Sequence, residues 1–244
     1  MCGADGPFTY LSFQDHPLRI LAEIGKNPET ALFFRKDHGI SSPLDLKGKH
    51  VAYLPGTVSY FFLVRFLEKH GLTQQDLKLT SMQPPTMPQA LIGGSIDAFV
   101  MWEPWGSQAL KQLGDAGGKI VDPSNSYQGF LTTTQEMTQN HPGTVKKVIR
   151  SLIKAENFLH SQKEKSIQIL SEKIKLDRSI LEEYWTQYEY HLHLNLGSIQ
   201  LMEENARYLQ RDDPHFANLP SPHFRDFIDA RFLKEIDPSR ITLP

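Results

Sequence analysis

The stretch Pro55-Gly56-Thr57-Val58-Ser59 carries the residue types best suited to holding a ligand. A strand-like run, Val51 to Leu54, leads into it and a helical pattern leaves it, so Gly56 to Ser59 open a helix. A helix start presents free backbone N–H groups and about half a positive charge, which suits a carboxylate, sulfonate or phosphate. Gly56 lets a ligand approach the backbone closely, and the hydroxyls of Thr57 and Ser59 can donate to it. The competing reading is that Thr57 or Ser59 only caps the helix. Trp102-Glu103-Pro104 closes another strand-like run. Trp102 can form an apolar wall and Glu103 can take an amine, or the two are a core tryptophan beside a helix-start carboxylate. Asp5, in Asp5-Gly6-Pro7, and Tyr127, in Tyr127-Gln128-Gly129, are further candidates; Tyr127 either lines a cleft or packs in a hinge.

The remaining reactive side chains suggest no reaction. Cys2 is the single cysteine, which excludes an intrachain disulfide and a multi-cysteine metal site, and no base can be assigned to it. His191 and His193 alternate on the polar face of a strand-like run with no third metal ligand, so they are expected at the surface. No catalytic residue, metal or cofactor is therefore expected.

The elements that must position these groups are legible in part. From His50 to Val121, apolar runs at Val51–Leu54, Leu77–Met82, Ile96–Trp102 and Lys119–Val121 alternate with helical patterns at Val58–His70, after Thr86 and at Trp105–Leu113. Thr86 is placed to cap the middle helix, with Pro88 in its first turn and Gly93-Gly94 ending it. Such β-α-β-α-β-α-β order implies parallel strands with right-handed crossovers and a ligand edge at their carboxyl ends. Before it, Arg19–Ile24 and Thr30–Arg35 read as strands joined by a turn through Gly25-Lys26-Asn27-Pro28. After it come a strand at Tyr127–Thr133, an amphipathic helix at Pro142–His160, further helices, and an alternating strand pattern at Tyr188–Asn195.

With 244 residues, 39% apolar and 22% charged, the chain can bury a sizeable core. A net charge of −2 argues against nucleic acid, and the only basic cluster, Lys146, Lys147 and Arg150, fits a solvated helix face. No apolar run approaches the roughly 18 residues of a membrane span, and no signal-peptide pattern opens the chain. Met1–Ala4 reads as the tail of a strand and Asp5-Gly6-Pro7 as a turn into a helix at Phe8–Phe13. The expectation is that one or two βα units of about thirty residues each, and a signal peptide with them, lie upstream.

Asp45-Leu46-Lys47-Gly48-Lys49, Val51 to Thr57, Arg35-Lys36-Asp37 and Gly94-Ser95-Ile96-Asp97-Ala98 through Trp102-Glu103-Pro104 resemble type II periplasmic binding proteins. They are closest to the branch that takes alkanesulfonates, taurine, nitrate or thiamine-precursor pyrimidines for ABC importers. The resemblance implies an α/β, two-lobed fold, with lobe one (1–42 and 126–244) incomplete at its N-terminus and lobe two at 43–125. Arg35–Asp37 would then cross between lobes. It favours anion binding at Gly56, Thr57, Val58 and Ser59, with Trp102, Glu103, Asp5 and Tyr127 as the other ligand-binding candidates. It implies a monomer that captures a small anionic or zwitterionic solute for a membrane-embedded importer, and a periplasmic location. Taken without it, the chain reads as cytoplasmic. The alternatives are an enzyme on the same scaffold, of the thiamine-pyrimidine synthesis or desulfination type, or a truncated sensor. Tyr53, Tyr60, Trp102, Trp105 and Tyr127 hint at an organic anion.

Overall fold

A computed structural model describes residues 2–14, 16–27, 30–122, 124–195 and 197–242. The strands are β1 (Cys2–Ala4), β2 (Leu18–Asn27), β3 (Thr30–Arg35), β4 (His50–Tyr53), β5 (Lys78–Ser81), β6 (Ala98–Trp102), β7 (Gly117–Val121) and β8 (Tyr127–Thr134). The helices are α1 (Asp5–Ser12), α2 (Val58–Lys69), α3 (Met87–Ile92), α4 (Trp105–Leu113), α5 (Gln135–Asn140), α6 (Pro142–Ser161), α7 (Lys163–Ile174), α8 (Arg178–Tyr184), α9 (Gly197–Asp212) and α10 (Arg231–Ile236). They form two compact units, Met1–Asn27 with Tyr127–Pro244, and Pro28–Ser126.

In the second unit the strand order is β5-β4-β6-β3-β7. β4 is parallel to β5 and β6, as the alternating pattern implies. β3 differs: it inserts between β6 and β7 and runs antiparallel to both, so β7 is not a direct neighbour of the other parallel strands. Residues 30–42 thus pack with the second sheet, where the resemblance had placed them in lobe one. The reason is burial. Leu32, Phe33 and Phe34 are all inaccessible, as in a strand covered on both faces. Phe33 lies over Gly106 of α4, where an added Cβ would stand 1.9 Å from the ring. Arg35-Lys36-Asp37, expected as a crossing, lies inside this unit. The Arg35 guanidinium donates to Ile92 O at 2.7 Å and pairs with Asp37 at 2.6 Å.

The recognisable motifs here are structural. Asp45 accepts from the amides and hydroxyls of Ser41 and Ser42 at 2.8–3.0 Å, which holds its carboxyl at about 2. Gly48 takes φ 77° and donates its amide to Asp76 O. Asp97 accepts from the His50 amide at 2.7 Å and meets His38 at 2.6 Å. Partial burial opposes its charge, and those bonds outweigh burial and keep it below the usual carboxylate range.

The first unit holds an antiparallel sheet, β1-β8-β2, with α1, α6, α9 and α10 contributing to one core around Ile20, Phe130, Ile149, Met202 and Leu233. Asp5-Gly6-Pro7, expected as a turn, forms the first turn of α1. β2 continues through Gly25-Lys26-Asn27, where a turn was expected, and Pro28 of that turn lies outside the described residues. Thr86 does not cap α3; its hydroxyl donates to Gln83 O. At 188–195 the expected alternation survives in burial, with Leu192 and Leu194 inaccessible, but no continuous ladder forms. Isolated bridges join Glu189 to Lys26, His193 to Glu23 and Leu194 to Ile241. Among the described residues, no helix is long and apolar enough to cross a membrane.

Candidate functional site

Parallel pairing of β4 and β6 brings the turn after Tyr53 beside the end of β6, so Gly56–Ser59 and Trp102–Glu103 share one sheet edge. The Ser59 hydroxyl spans them, donating to Val100 O at 2.6 Å and accepting from Leu54 N at 3.2 Å. Ser59 and Val58 are buried, so neither offers a polar group outward. Thr57 is the N-cap of α2, accepting from Ser59 N and donating to Leu54 O at 2.8 Å. Gly56, at φ 68°, and Thr57 keep partial exposure. Glu103 accepts from the Ser107 amide at 2.9 Å in the first turn of α4, and Trp102 packs partly against the core around Phe33 and Phe99. Of the aromatics in this unit, Tyr60 is buried, and Tyr53, Trp102 and Trp105 pack partly against its cores.

Asp5 and Tyr127 lie at one end of the other sheet. Asp5 is buried; its Oδ1 accepts from Gln128 N at 2.9 Å and its Oδ2 from Asn205 Nδ2 at 2.7 Å. It thereby ties α1, β8 and α9 together. Tyr127 lines a cavity of about 350 Å³ with Gly3, Ala4, Ile24, Gly25, Lys26, Gly129, Tyr188, Glu189 and Tyr190. Its surface is predominantly apolar, and Lys26 is the one cation among the described residues that line it. The rings of Tyr188 and Tyr190 stack at 5.6 Å and 9°. The close approach of the 188–195 segment requires glycine at position 25: φ is 151° and an added Cβ would stand 2.3 Å from Glu189 O. Such a pocket, with apolar walls and a few polar groups, suits a small molecule.

Lys26, Tyr188, Glu189 and Tyr190 were not singled out in the sequence. The signal for the last three was the alternating run 188–195, whose two tyrosines are less buried than its two leucines; Lys26 lay in the stretch expected as a turn. His193, expected at the surface, is half-buried and meets the inaccessible Glu23 carboxylate at 3.1 Å. That hydrogen bond raises the His193 pKa against the opposing effect of burial. His191 is exposed and reaches Glu156 at 3.1 Å. Among the described residues no three metal-ligating side chains cluster.

A family model described as NMT1/THI5 like matches residues 8–166. A protein of Escherichia coli (strain K12), provisionally named an aliphatic sulfonates-binding protein, is 28% identical over 145 residues, covering 59% of this chain and 46% of that one. The chain thus spans about half the length of the curated relatives it matches. The alkanesulfonate-binding protein SsuA from Xanthomonas axonopodis pv. citri, bound to MOPS, superposes with a TM-score of 0.77 at 19% identity, over 94% of this chain and 79% of that one. The desulfurization enzyme DSZB superposes at 0.76 and 15% identity, over 98% and 85%. The α/β fold is therefore that of the SsuA-type binding proteins.

Proposed function

The chain belongs to the NMT1/THI5-like family, and from that premise we propose that it is the solute-capturing component of an ABC-type importer, acting in the periplasm on a small organic anion without transforming it. The observation that carries the reading is the cavity at the Tyr127 end of the antiparallel sheet, whose lining includes Lys26, Glu189, three tyrosines and three glycines. Lys26 supplies charge for a sulfonate or carboxylate, and the tyrosine rings supply apolar surface for its carbon skeleton.

A thermal-shift and calorimetric panel of alkanesulfonates, taurine, nitrate, carboxylates and pyrimidine phosphates tests it. A sulfonate or carboxylate should bind, and Lys26→Ala should weaken that binding about tenfold, the loss of one charge-assisted hydrogen bond of about 1.5 kcal/mol. Binding that survives Lys26→Ala unchanged would remove the cavity from the site. A second reading, a desulfinating enzyme, draws on the fold shared with DSZB. Its candidate nucleophile, Cys2, is exposed and does not line the cavity. Turnover of a sulfinate that is lost in Cys2→Ser would favour that reading over simple capture.

A further inference from the structure

The tyrosine wall of the cavity belongs to a segment with little pairing of its own. The backbone of residues 188–195 pairs with β2, among the described residues, through isolated bridges: Lys26 and Glu189 exchange amide–carbonyl bonds of 3.0 and 3.1 Å, and Glu23 and His193 exchange bonds of 2.7 and 3.1 Å. Between those bridges lie Tyr190, His191 and Leu192, and Tyr188 stands just beyond Glu189, so what fixes the His193 end helps to set where the rings stand. The side chain of Glu23 does this from inside the sheet. It is inaccessible, its Oε1 accepts from the Asn195 amide at 3.1 Å, and its Oε2 takes the Asn195 side-chain amide at 3.3 Å and His193 Nε2 at 3.1 Å. A charged carboxylate inside a strand is retained only with partners of this kind.

We infer that Glu23 and His193 are positioning residues for the solute cavity: the pairing of half-buried His193 with inaccessible Glu23 pins the 188–195 segment to β2 and so sets where Tyr188 and Tyr190 stand. The inference rests on the cavity being part of the solute site.

Several groups face His193. On β2 it meets Glu23. On its own segment it meets the His191 carbonyl, to which its Nδ1 donates at 2.9 Å, the His191 ring at 4.9 Å between centroids, and the Asn195 side-chain nitrogen, itself a donor, 2.6 Å from Nε2. From α6, Glu156 adds a further negative charge and is itself held by Arg240 at 2.7 Å. The hydrogen bond to Glu23 and these charges raise the His193 pKa above its ordinary 6.5. The sign follows. The pair contributes fully below pH 6.5, where the imidazole is charged even in an unfolded chain, and is lost as pH rises through the folded-state value. Above it, the wall loses the charge that pins it.

Ring NMR signals of Tyr188 and Tyr190, followed in the full chain from pH 5.5 to 9, test this directly. Both should titrate with the same midpoint as His193, above 6.5. In His193→Gln that titration should vanish. In Glu23→Gln, which keeps a hydrogen-bonding side chain and guards against a misfolded first variant, the His193 and tyrosine midpoints should fall together. Ethanesulfonate, whose charge is constant over this range, should bind several-fold more weakly at pH 9 than at pH 6, and the difference should shrink to within twofold in His193→Gln. Tyrosine signals that do not titrate, or that still titrate in His193→Gln, overturn the inference. Tyrosines that titrate as expected while no sulfonate or carboxylate binds would instead count against the solute reading.

Discussion

Asp5 shows how a residue can be well placed for ligand work and yet be engaged elsewhere. It sits at the end of β1, where a ligand carboxylate contact would be sought, but both of its oxygens face the interior toward Gln128 N and Asn205 Nδ2. Asp5→Ala strands both donors, at about 1–3 kcal/mol for each buried group left unpaired. Asp5→Asn keeps one acceptor for the Gln128 amide and should cost less. Urea unfolding at constant slope should therefore rank wild type above Asp5→Asn above Asp5→Ala. Equal stability of all three would show the carboxylate to be free, and so open to ligand. The same distinction separates Ser59 from Gly56. Residue type and spacing identified the Gly56–Ser59 turn, the N-cap at Thr57 and the carboxylate at the start of α4. They did not show that the Ser59 hydroxyl turns inward to Val100, because helix phase decides that and a one-turn segment leaves phase open. Glu23 was hidden for a different reason. A lone charge in an apolar run looks like a surface position until its partners, more than 160 residues away, are known.

Among elements, β3 is the most instructive. Its length and apolar run were readable, because a strand covered on both faces is apolar throughout. Its place between β6 and β7 was not, since antiparallel insertion depends on pairings remote in sequence, whereas β-α-β order reports only successive parallel neighbours. What fixes the insertion is the fit of Phe33 to α4, with Gly106 lying directly against the ring. Gly106→Ala forces a methyl into that ring and should destabilise the second unit by about 1–3 kcal/mol through overpacking. A smaller side chain at 33 relieves it, so Phe33→Leu with Gly106→Ala should be more stable than the sum of the single effects implies, as measured by a double-mutant cycle in denaturant. Additive losses would place the ring elsewhere. The 188–195 segment was legible in period but not in form. Alternation predicts which side chains are buried, and Leu192 and Leu194 are, but it cannot tell a continuous strand from a segment held by single bridges.

At the scale of the molecule, the two units have separate apolar cores, one around Phe130 and Met202 and others around Phe62 and Phe99, so each can report on its own stability. The three tryptophans divide between them: Trp102 and Trp105 lie in the second unit and Trp185 in the first. Trp185 stands 5.9 Å from Tyr190, a wall residue of the cavity. A solute bound there must favour the folded state of the first unit by RT ln(1 + [L]/Kd), about 2.7 kcal/mol at a hundredfold excess over Kd. Subtracting the fluorescence of Trp185→Phe from that of the wild-type chain isolates the first-unit signal during urea unfolding. With saturating ethanesulfonate, the Trp185 transition should move to higher urea by the amount its own slope converts from that free energy. Lys26→Ala, at the same solute concentration, should recover only part of the shift, because its weaker affinity lowers [L]/Kd by the same tenfold factor that calorimetry reads. A shift confined to the Trp102 and Trp105 signal would move the site to the Gly56–Thr57 edge and leave the tyrosine-walled cavity without a solute.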